Sequence, residues 1–260
     1  MSDGTHFLTA TRIGRAVLGF AGVVAFVAIW KFAQASGWAQ KGTIPDPFLL
    51  PRALLDEWTA GRLLPAIRSS LIHYVWGLSL GTLCGLSIGI AAALSTWVDA
   101  FHSWLARILR PIPPLAWIVF AIAWFKVSHA GAAFVIAIGV FWINYFATYS
   151  AVRNVEPKYY ELARAFGQDG FVAEMLSVTM PAASPGIFAG MRTGIGSAWM
   201  TLIAAELLGV SGMGQEMDAA AGVGSYETVV IYMLAISLVY TLSDTMFKWV
   251  EKRALQWRPS

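Results

Sequence analysis

Charged residues are scarce in this chain of 260 residues. Asp, Glu, Lys and Arg make up 13% of the sequence, hydrophobic residues make up 57%, and the mean hydropathy is +0.62. Soluble globular domains carry about a quarter charged residues. The composition therefore excludes an ordinary soluble domain and indicates an integral membrane protein.

Motifs for catalysis and nucleotide binding are missing as well. The sequence has no GxxxxGK[ST] loop, no HExxH, no CxxC and no GxSxG. Its one cysteine, Cys84, lies in an apolar run and cannot form an internal disulfide. The four histidines are far apart in sequence and lack metal-ligand spacing, so we interpret each as an interfacial or packing residue: His6, His73, His102 and His129. We predict no catalytic residue, no metal site, no cofactor held by this chain and no nucleic-acid partner.

Long uncharged runs take the place of the missing charges. Residues 69–98 include 30 consecutive positions without Asp, Glu, Lys or Arg, and residues 127–152 include 26. Roughly 20 residues span a bilayer as a helix. Alternating strand patterns are absent, and helices satisfy the backbone hydrogen bonds in lipid. We predict six transmembrane helices in an all-α membrane protein, at about residues 16–30, 69–94, 111–125, 127–152, 186–208 and 228–243.

The first apolar run, 16–30, has two interpretations. Its basic start, its length and the small residues after it fit a signal peptide. Trp30, Lys31 and Phe32, however, crowd the position where small residues lead to cleavage, and we favour a retained first helix. The chain would then be a single transmembrane domain over 1–260. Its core would occupy about 66–250, after an N-terminal helix and an external connection in 1–65.

The connections between spans differ in character. We interpret 51–60 as a short surface helix, 97–110 as a polar connection and 209–224 as a loop or re-entrant turn. Glycines recur at every fourth position in two spans: Gly77, Gly81, Gly85 and Gly89, then Gly186, Gly190 and Gly194. Such rows allow helices to approach closely. We predict helix-packing seams, with a ligand-facing groove as the alternative.

One charged stretch, 153–199, interrupts the apolar pattern. Pro157 suits the first turn of a helix and Gly167 suits a left-handed stop, which predicts a short helix at about 157–166. Tyr159, Leu162, Ala163 and Phe166 share one face of it at i, i+3, i+4 and i+7.

A second stripe of apolar residues follows Gly170. Phe171, Met175 and Val178 predict another short helix, which closes at Met180 and Pro181. Two amphipathic helices joined at glycines are typical of a surface that another protein binds.

The distribution of basic residues predicts the topology. With a cytoplasmic amino terminus, twelve Lys and Arg residues lie inside and six lie outside, in agreement with the positive-inside rule. Both termini and the stretch 153–181 would then be cytoplasmic.

Glu206 lies within the fifth span, where an ionisable group indicates a functional site. The alternative is a carboxylate at the helix end that reaches water. We interpret Arg192, near the other end of that span, as extending to lipid phosphate or to the cytoplasm.

These residues also carry a family resemblance. Glu161-Leu162-Ala163, Gly167 and Met180-Pro181 resemble the EAA loop of ATP-binding-cassette importer permeases, whose pattern is Glu-Ala-Ala, three residues, Gly, and a distal Ile-x-Leu-Pro. The flanks are similar to the nitrate, sulfonate, taurine and bicarbonate permeases, in the segments 110–118, 124–125, 181–199 and 204–206 and the glycine-rich loop that follows.

The chain departs from the family pattern at four points. Leu162 stands at the second Ala, Met180 replaces Leu, and Lys126 stands where Gly is common. The interval from Gly167 to Pro181 is one residue longer than usual.

The resemblance implies a homodimeric permease of the inner membrane with the importer-permease (MetI-like) fold. Two cytoplasmic ATP-binding subunits would bind ATP and Mg²⁺, and a periplasmic binding protein would deliver the substrate. The coupling residues would be Tyr159, Glu161, Leu162, Ala163, Phe166 and Gly167. Candidates for the substrate pathway are Trp117, Trp199, Thr201 and Glu206. The substrate would be a small anion such as taurine or another alkanesulfonate, nitrate or a related species.

Two other classes of function were weighed against the importer. A partner-independent secondary transporter should show repeat symmetry and buried coupling carboxylates, whereas the sequence has one such carboxylate and no repeat. A membrane-embedded enzyme would need clustered His, Asp or Glu within the spans, which the sequence does not indicate.

Overall fold

Helices form all the regular secondary structure in the computed structural model, which describes residues 12–37, 43–207 and 209–257. Eleven α-helices lie in this part of the chain: α1 Arg12–Ala35, α2 Leu50–Thr59, α3 Leu63–Leu94, α4 Thr96–Leu109, α5 Ile118–Phe125, α6 His129–Arg153, α7 Pro157–Ala165, α8 Phe171–Glu174, α9 Met180–Glu206, α10 Met213–Gly222 and α11 Tyr226–Ala254. The prediction of an all-α membrane protein is confirmed.

Five helices are long and apolar enough to cross a membrane, and a bent pair of helices, counted as one span, brings the number to six. The pair consists of Thr96–Leu109 and Pro114–Phe125, which meet at 91°. The expected polar connection at 97–110 is therefore wrong, because α4 occupies it, and the third span is broken. Pro111, Pro113 and Pro114 at the break lack backbone N–H groups, so one helix cannot run through them.

The backbone at the end of the broken span shows why glycine is common at position 126 in the resembling family. Lys126 follows α5 with φ of +58°, the only positive φ at a non-glycine residue in the described ranges. This region of backbone conformation favours glycine, which is the residue common at this position in the resembling family.

Both glycine rows are helix-packing seams, as predicted. A Cβ atom on Gly81 would lie 2.5 Å from the carbonyl oxygen of Ala137 in α6, and one on Gly85 would lie 2.8 Å from that of Phe141. A Cβ on Gly190 of α9 would overlap the Cβ of Ala147, also in α6. Helices α3 and α9 thus both pack closely on α6, on adjoining faces that share Val140 and Asn144, and the three helices form the centre of the bundle.

The described side chains of α1 are not packed into this bundle. Its apolar side chains point outward, as Phe20 does with 72% of its surface exposed. Two contacts join its end to the next segment: Trp30 Nε1 donates to the Pro45 carbonyl oxygen at 3.0 Å, and Lys31 pairs with Asp46 at 2.5 Å. A helix of this composition is suited to lipid on all sides.

Helix α2 is only partly a surface helix. Glu57 is 2% exposed, pairs with Arg62 at 2.5 Å, and accepts a hydrogen bond from the Tyr232 hydroxyl of α11 at 2.9 Å. The hydrogen bond from Arg62 lowers the pKa of the Glu57 carboxyl, against the effect of burial. One face of α2 therefore packs on the last span, and a carboxylate lies inside that contact.

Candidate functional site

Helix α7 is the predicted docking helix. It begins at Pro157, and the chain turns at Gly167 with φ of +76°, as expected for a left-handed stop. Leu162 is 56% exposed and Phe166 is 77% exposed, so its apolar face is available to a partner.

The six predicted coupling residues take two positions relative to a groove beside α7. This groove has a volume of about 720 Å³, and the start of α9 and Trp257 line its far side. Its near side is formed by four of the six residues: Tyr159, Leu162, Ala163 and Phe166. Glu161 is exposed on the polar face, and Gly167 forms the turn.

Two polar contacts join α7 to the base of the fifth span. The hydroxyl of Tyr160 lies 3.0 Å from Thr179 Oγ1, and Arg164 pairs with Glu174 at 2.6 Å. The hydrogen bond to Glu174 raises the pKa of Arg164. Sequence reasoning missed Tyr160, Thr179 and Glu174, because no motif marks residues that only join two segments.

The second short helix does not close at Met180 and Pro181 as predicted. One continuous helix runs over Phe171–Glu206. It consists of α8, then a π-helical turn at Met175–Thr179, and then α9. Pro181 lies inside this continuous helix and lacks a backbone N–H, and the π-helical turn that ends two residues before it already departs from the α-helical hydrogen-bond pattern. A π turn holds one more residue than an α turn. The extra residue between Gly167 and Pro181 is therefore located in this turn.

A buried polar cluster lies at the end of the bundle opposite α7. Helix α6, which is 25 residues long, begins beside this cluster at His129 and ends beside α7. Glu206 is fully buried in the cluster. It accepts hydrogen bonds from Ser70 Oγ and the Gly214 backbone N–H, each at 2.9 Å. The interpretation of Glu206 as a carboxylate reaching water is wrong, because α10 folds back over the end of α9.

Two histidines complete this cluster. His73 Nδ1 lies 2.9 Å from Glu206 Oε1, and His73 Nε2 lies 2.5 Å from His129 Nδ1. His73 is fully buried and His129 is exposed. The expectation of unclustered histidines is wrong for this pair. They are 56 positions apart in sequence, so only the packing of α3 against α6 brings them together. No group of His, Cys, Asp and Glu within the described ranges is arranged to hold a metal ion.

The predicted pathway residues lie inside the protomer. Trp199 is 4% exposed and stacks on Tyr74, with ring centroids 4.7 Å apart. Thr201 is 7% exposed and donates to the Ser197 carbonyl oxygen at 2.9 Å. Trp117 lies in the 3₁₀ turn Pro114–Trp117, which packs near Thr201 across Gly139. The structure thus brings the region of Trp117 close to Thr201. Trp199 belongs instead to the hydrophobic core, and Glu206 belongs to the buried polar cluster.

The side chain of Arg192 is 45% exposed and also pairs with α11, and its extension to lipid phosphate or to the cytoplasm stays a prediction. Its Nε lies 3.2 Å from Asp244 Oδ1 of α11, and Asp244 also pairs with Lys248 at 2.6 Å. The ion pair links the fifth span to the sixth near the α7 end of the bundle.

Comparison with known proteins gives relatives over almost the whole chain. It is 29% identical over 238 residues to the putative aliphatic sulfonates transport permease protein SsuC of Escherichia coli, covering 91% of this chain and 90% of the relative. It is 29% identical over 253 residues to the bicarbonate transport system permease protein CmpB of Synechococcus elongatus, with 92% and 90% covered. A putative ABC transporter permease of Methanocaldococcus jannaschii is 32% identical over 227 residues, with 83% and 85% covered.

Solved structures agree in fold. An amino acid ABC transporter superposes with a TM-score of 0.61 at 16% identity, over 79% of this chain and 98% of the other. The MetNI methionine ABC transporter in inward-facing conformations superposes with a TM-score of 0.61 at 16% identity, over 77% and 97%. The predicted importer-permease fold is confirmed. The profile of the family described as binding-protein-dependent transport system inner membrane component matches residues 81–256, and the chain belongs to this family of ABC importer permeases.

Proposed function

We propose that this chain forms the transmembrane pathway of an importer for a small anion, such as taurine or another alkanesulfonate, nitrate or bicarbonate. Two copies would form the pathway, two cytoplasmic ATPase subunits would drive it, and a periplasmic binding protein would deliver the substrate. The chain itself would bind neither ATP nor Mg²⁺.

The observation that carries the proposal is the construction of α7. Its apolar face is exposed, with Phe166 77% accessible, while its other side is tied to the fifth span through Tyr160 and Arg164. A helix that presents apolar residues outward and is fixed to a transmembrane helix inward can transmit the movement of a bound partner. ATPase closure would move α7 as a rigid body and tilt α9 between two states of the pathway.

The proposed orientation places α7 and both termini in the cytoplasm of a bacterial cell, with the protein in the inner membrane. The twelve-to-six excess of basic residues on that side supports it. The Glu206 cluster would then face the periplasm, where the binding protein docks.

The substrate class is supported by the relatives, two of which are named for aliphatic sulfonates and for bicarbonate. We retain Trp117, Trp199, Thr201 and Glu206 as pathway candidates. Trp199, Thr201 and Glu206 are buried in one protomer. They would contact substrate only after α9 moves relative to α3 and α6.

Replacement of Gly167 by Val tests the proposal. A β-branched residue is strained at φ of +76°, so the turn after α7 should be displaced. We expect uptake of taurine, nitrate and bicarbonate to be lost while the amount of protein in the membrane is unchanged. Gly222→Val is the matched control, because that glycine has open space around it and no positive φ. Normal uptake by Gly167→Val would contradict the coupling assignment.

Omission of the ATPase subunits from the same cells tests the alternative of a secondary transporter. An ABC importer loses uptake of all three anions without them. Uptake that continues at the same rate would overturn the proposal in favour of a partner-independent transporter.

A further inference from the structure

A groove of about 450 Å³ opens beside the Glu206 cluster. Its polar lining consists of Arg68 and Ser69 from α3, His129 from the start of α6, and Ser211. The guanidinium of Arg68 is exposed and has no ion pair or hydrogen bond to any other residue that the structure describes. Ser69 Oγ and Ser211 Oγ lie 3.1 Å apart across the groove.

The chemistry of these groups favours an anion. Arg68 can only donate hydrogen bonds, and its planar guanidinium matches the geometry of a sulfonate, phosphate or carboxylate. The His129 imidazole and one of the two serine hydroxyls, which hydrogen-bond to each other, can add donors, and no carboxylate lines the groove. We propose that this groove binds a small oxyanion and that its occupancy is coupled through His129 and His73 to the buried carboxylate of Glu206.

The coupling follows from the number of protons that the two rings can hold. A hydrogen bond between His73 Nε2 and His129 Nδ1, which are 2.5 Å apart, needs one proton between the two nitrogens. His73 Nδ1 must then hold a second proton to donate to Glu206 Oε1 at 2.9 Å. The nitrogen left for the groove is His129 Nε2. In the neutral pair of rings this atom has a lone pair, which repels a bound anion.

Anion binding therefore favours the uptake of one proton from water at His129 Nε2. The added charge is shared by both rings, because the proton between them can lie on either nitrogen. It thus reaches the side of Glu206 without any movement of heavy atoms. The charged and titratable groups recorded at the groove and along this path are Arg68, His129, His73 and Glu206, with Lys126 three positions before His129 in sequence.

A consequence for transport follows, which rests on the proposed function. Glu206 holds Ser70 of α3 and the first turn of α10 to α9. A positive charge beside it strengthens this contact. An oxyanion arriving at the groove would therefore stabilise the packed form of this end of the bundle.

The binding half of the proposal can be tested on the full chain in phosphatidylcholine nanodiscs, without partner subunits. Methanesulfonate serves as the probe, and thermal stabilisation is followed against its concentration. We expect saturable stabilisation, with the apparent affinity reduced about tenfold or more by Arg68→Gln, as for loss of a charge-assisted hydrogen bond. Arg52→Gln, which removes another exposed arginine outside the groove, should leave the affinity unchanged.

Nanodiscs that contain phosphatidylglycerol distinguish a lipid headgroup from a free anion. If stabilisation by phosphatidylglycerol requires Arg68 and excludes methanesulfonate, the oxyanion at the site is a lipid phosphate. If neither compound stabilises the chain in an Arg68-dependent manner, the groove is not an oxyanion site and the proposal is overturned.

The relay half is tested by proton uptake in a weakly buffered solution. Methanesulfonate should cause wild-type protein to take up protons and should shift the ring ¹⁵N signals of both histidines. His129→Asn should bind methanesulfonate more weakly, because a groove donor is lost, and at saturating methanesulfonate it should take up no protons and show no shift at His73. A His73 signal that does not respond in wild-type protein would overturn the coupling. These measurements need no transport, so their failure is distinct from a failure of the importer function, which would appear as absent uptake in wild-type cells.

Discussion

The hydroxyl of Tyr160 in α7 lies 3.0 Å from Thr179 Oγ1 in the π-helical turn at the base of α9. Thr179 is 2% exposed, and its hydroxyl also lies 3.3 Å from the Glu174 carbonyl oxygen, within the same turn. The docking helix is therefore joined to the fifth span at the point where that span departs from α-helical geometry.

Removal of this hydroxyl contact should uncouple α7 from the span. In the complex reconstituted with its ATPases, we expect Tyr160→Phe to lower the ratio of substrate uptake to ATP hydrolysis, because one hydrogen bond worth about 1 kcal/mol is lost. Tyr240→Phe is the matched control, since that hydroxyl lies in α11, away from the groove beside α7, and has no hydrogen bond to another residue in the described ranges. An unchanged ratio in both Tyr160→Phe and Thr179→Val would rule out a coupling role for the contact.

Deletion of Ser177 should be tolerated. Ser177 is exposed within the π turn, which holds one residue more than an α turn, so its removal restores a continuous α-helix with both flanks in place. Deletion of Ala182, outside the turn, would instead rotate α8 by about 100° relative to α9. We expect a folded protein of near wild-type melting temperature only for the Ser177 deletion. Equal losses in both would contradict the assignment of the extra residue.

The second glycine seam should not tolerate a methyl group at its centre. A Cβ on Gly190 overlaps that of Ala147, whereas a Cβ on Gly196 has the Tyr240 hydroxyl at 3.8 Å as its nearest neighbour. Overpacking costs about 1–3 kcal/mol. Unfolding experiments in detergent should show Gly190→Ala destabilised by about this amount and Gly196→Ala close to wild type. The reverse order would mean that α6 and α9 are not packed as described.

Replacement of Glu206 by Gln should destabilise the end of the bundle opposite α7. The carboxylate faces only donors, namely Ser70, the Gly214 N–H and His73, and an amide NH₂ would leave at least one buried donor without an acceptor. The expected cost is about 1–3 kcal/mol, seen as a lower melting temperature. Asp218→Asn, in the exposed part of α10, is the control. If Glu206→Gln has the stability and the uptake of wild type, Glu206 has neither a structural role nor a role in gating.

Acid should weaken the contact between α2 and α11. The hydrogen bond from Arg62 lowers the pKa of Glu57 below its ordinary value of 4.5. A carboxyl whose pKa is lower in the folded state than in the unfolded state stabilises the fold. Its contribution is complete at a pH above the unfolded-state pKa and is lost as the pH falls through the folded-state pKa. We expect the melting temperature of Glu57→Gln to depend less on pH than that of wild type below about pH 5. Asp56→Asn, exposed and adjacent, should follow wild type.

Local patterns in the sequence predicted what depends on near neighbours. The docking helix after Pro157, its stop at Gly167 and the two glycine rows all rest on spacing within a few residues, and the structure confirms each. The sequence also predicted a span that begins at Pro111. The bend of 91° in that span was not predicted, because it depends on how α4 and α5 pack against neighbouring helices.

The Glu206 cluster could not be predicted from such patterns. Ser70 and His73 come from α3, His129 from the start of α6 and Gly214 from α10, and Ser70 is 136 positions from Glu206 in sequence. The sequence shows one carboxylate and scattered histidines, and a pairing among them exists only once the glycine rows bring α3 and α9 against α6.

Composition and hydrophobic run length determined from the sequence alone that this chain is a helical membrane protein, and Pro157 and Gly167 determined the bounds of a short amphipathic helix, because each of these properties is local. The tertiary structure alone decided that Glu206 is buried rather than in water, that Glu57 lies inside the contact between α2 and α11, and that His73 links Glu206 to the surface. Burial and hydrogen bonding depend on atoms from distant segments, and the energies that hold these groups arise only when those segments pack together.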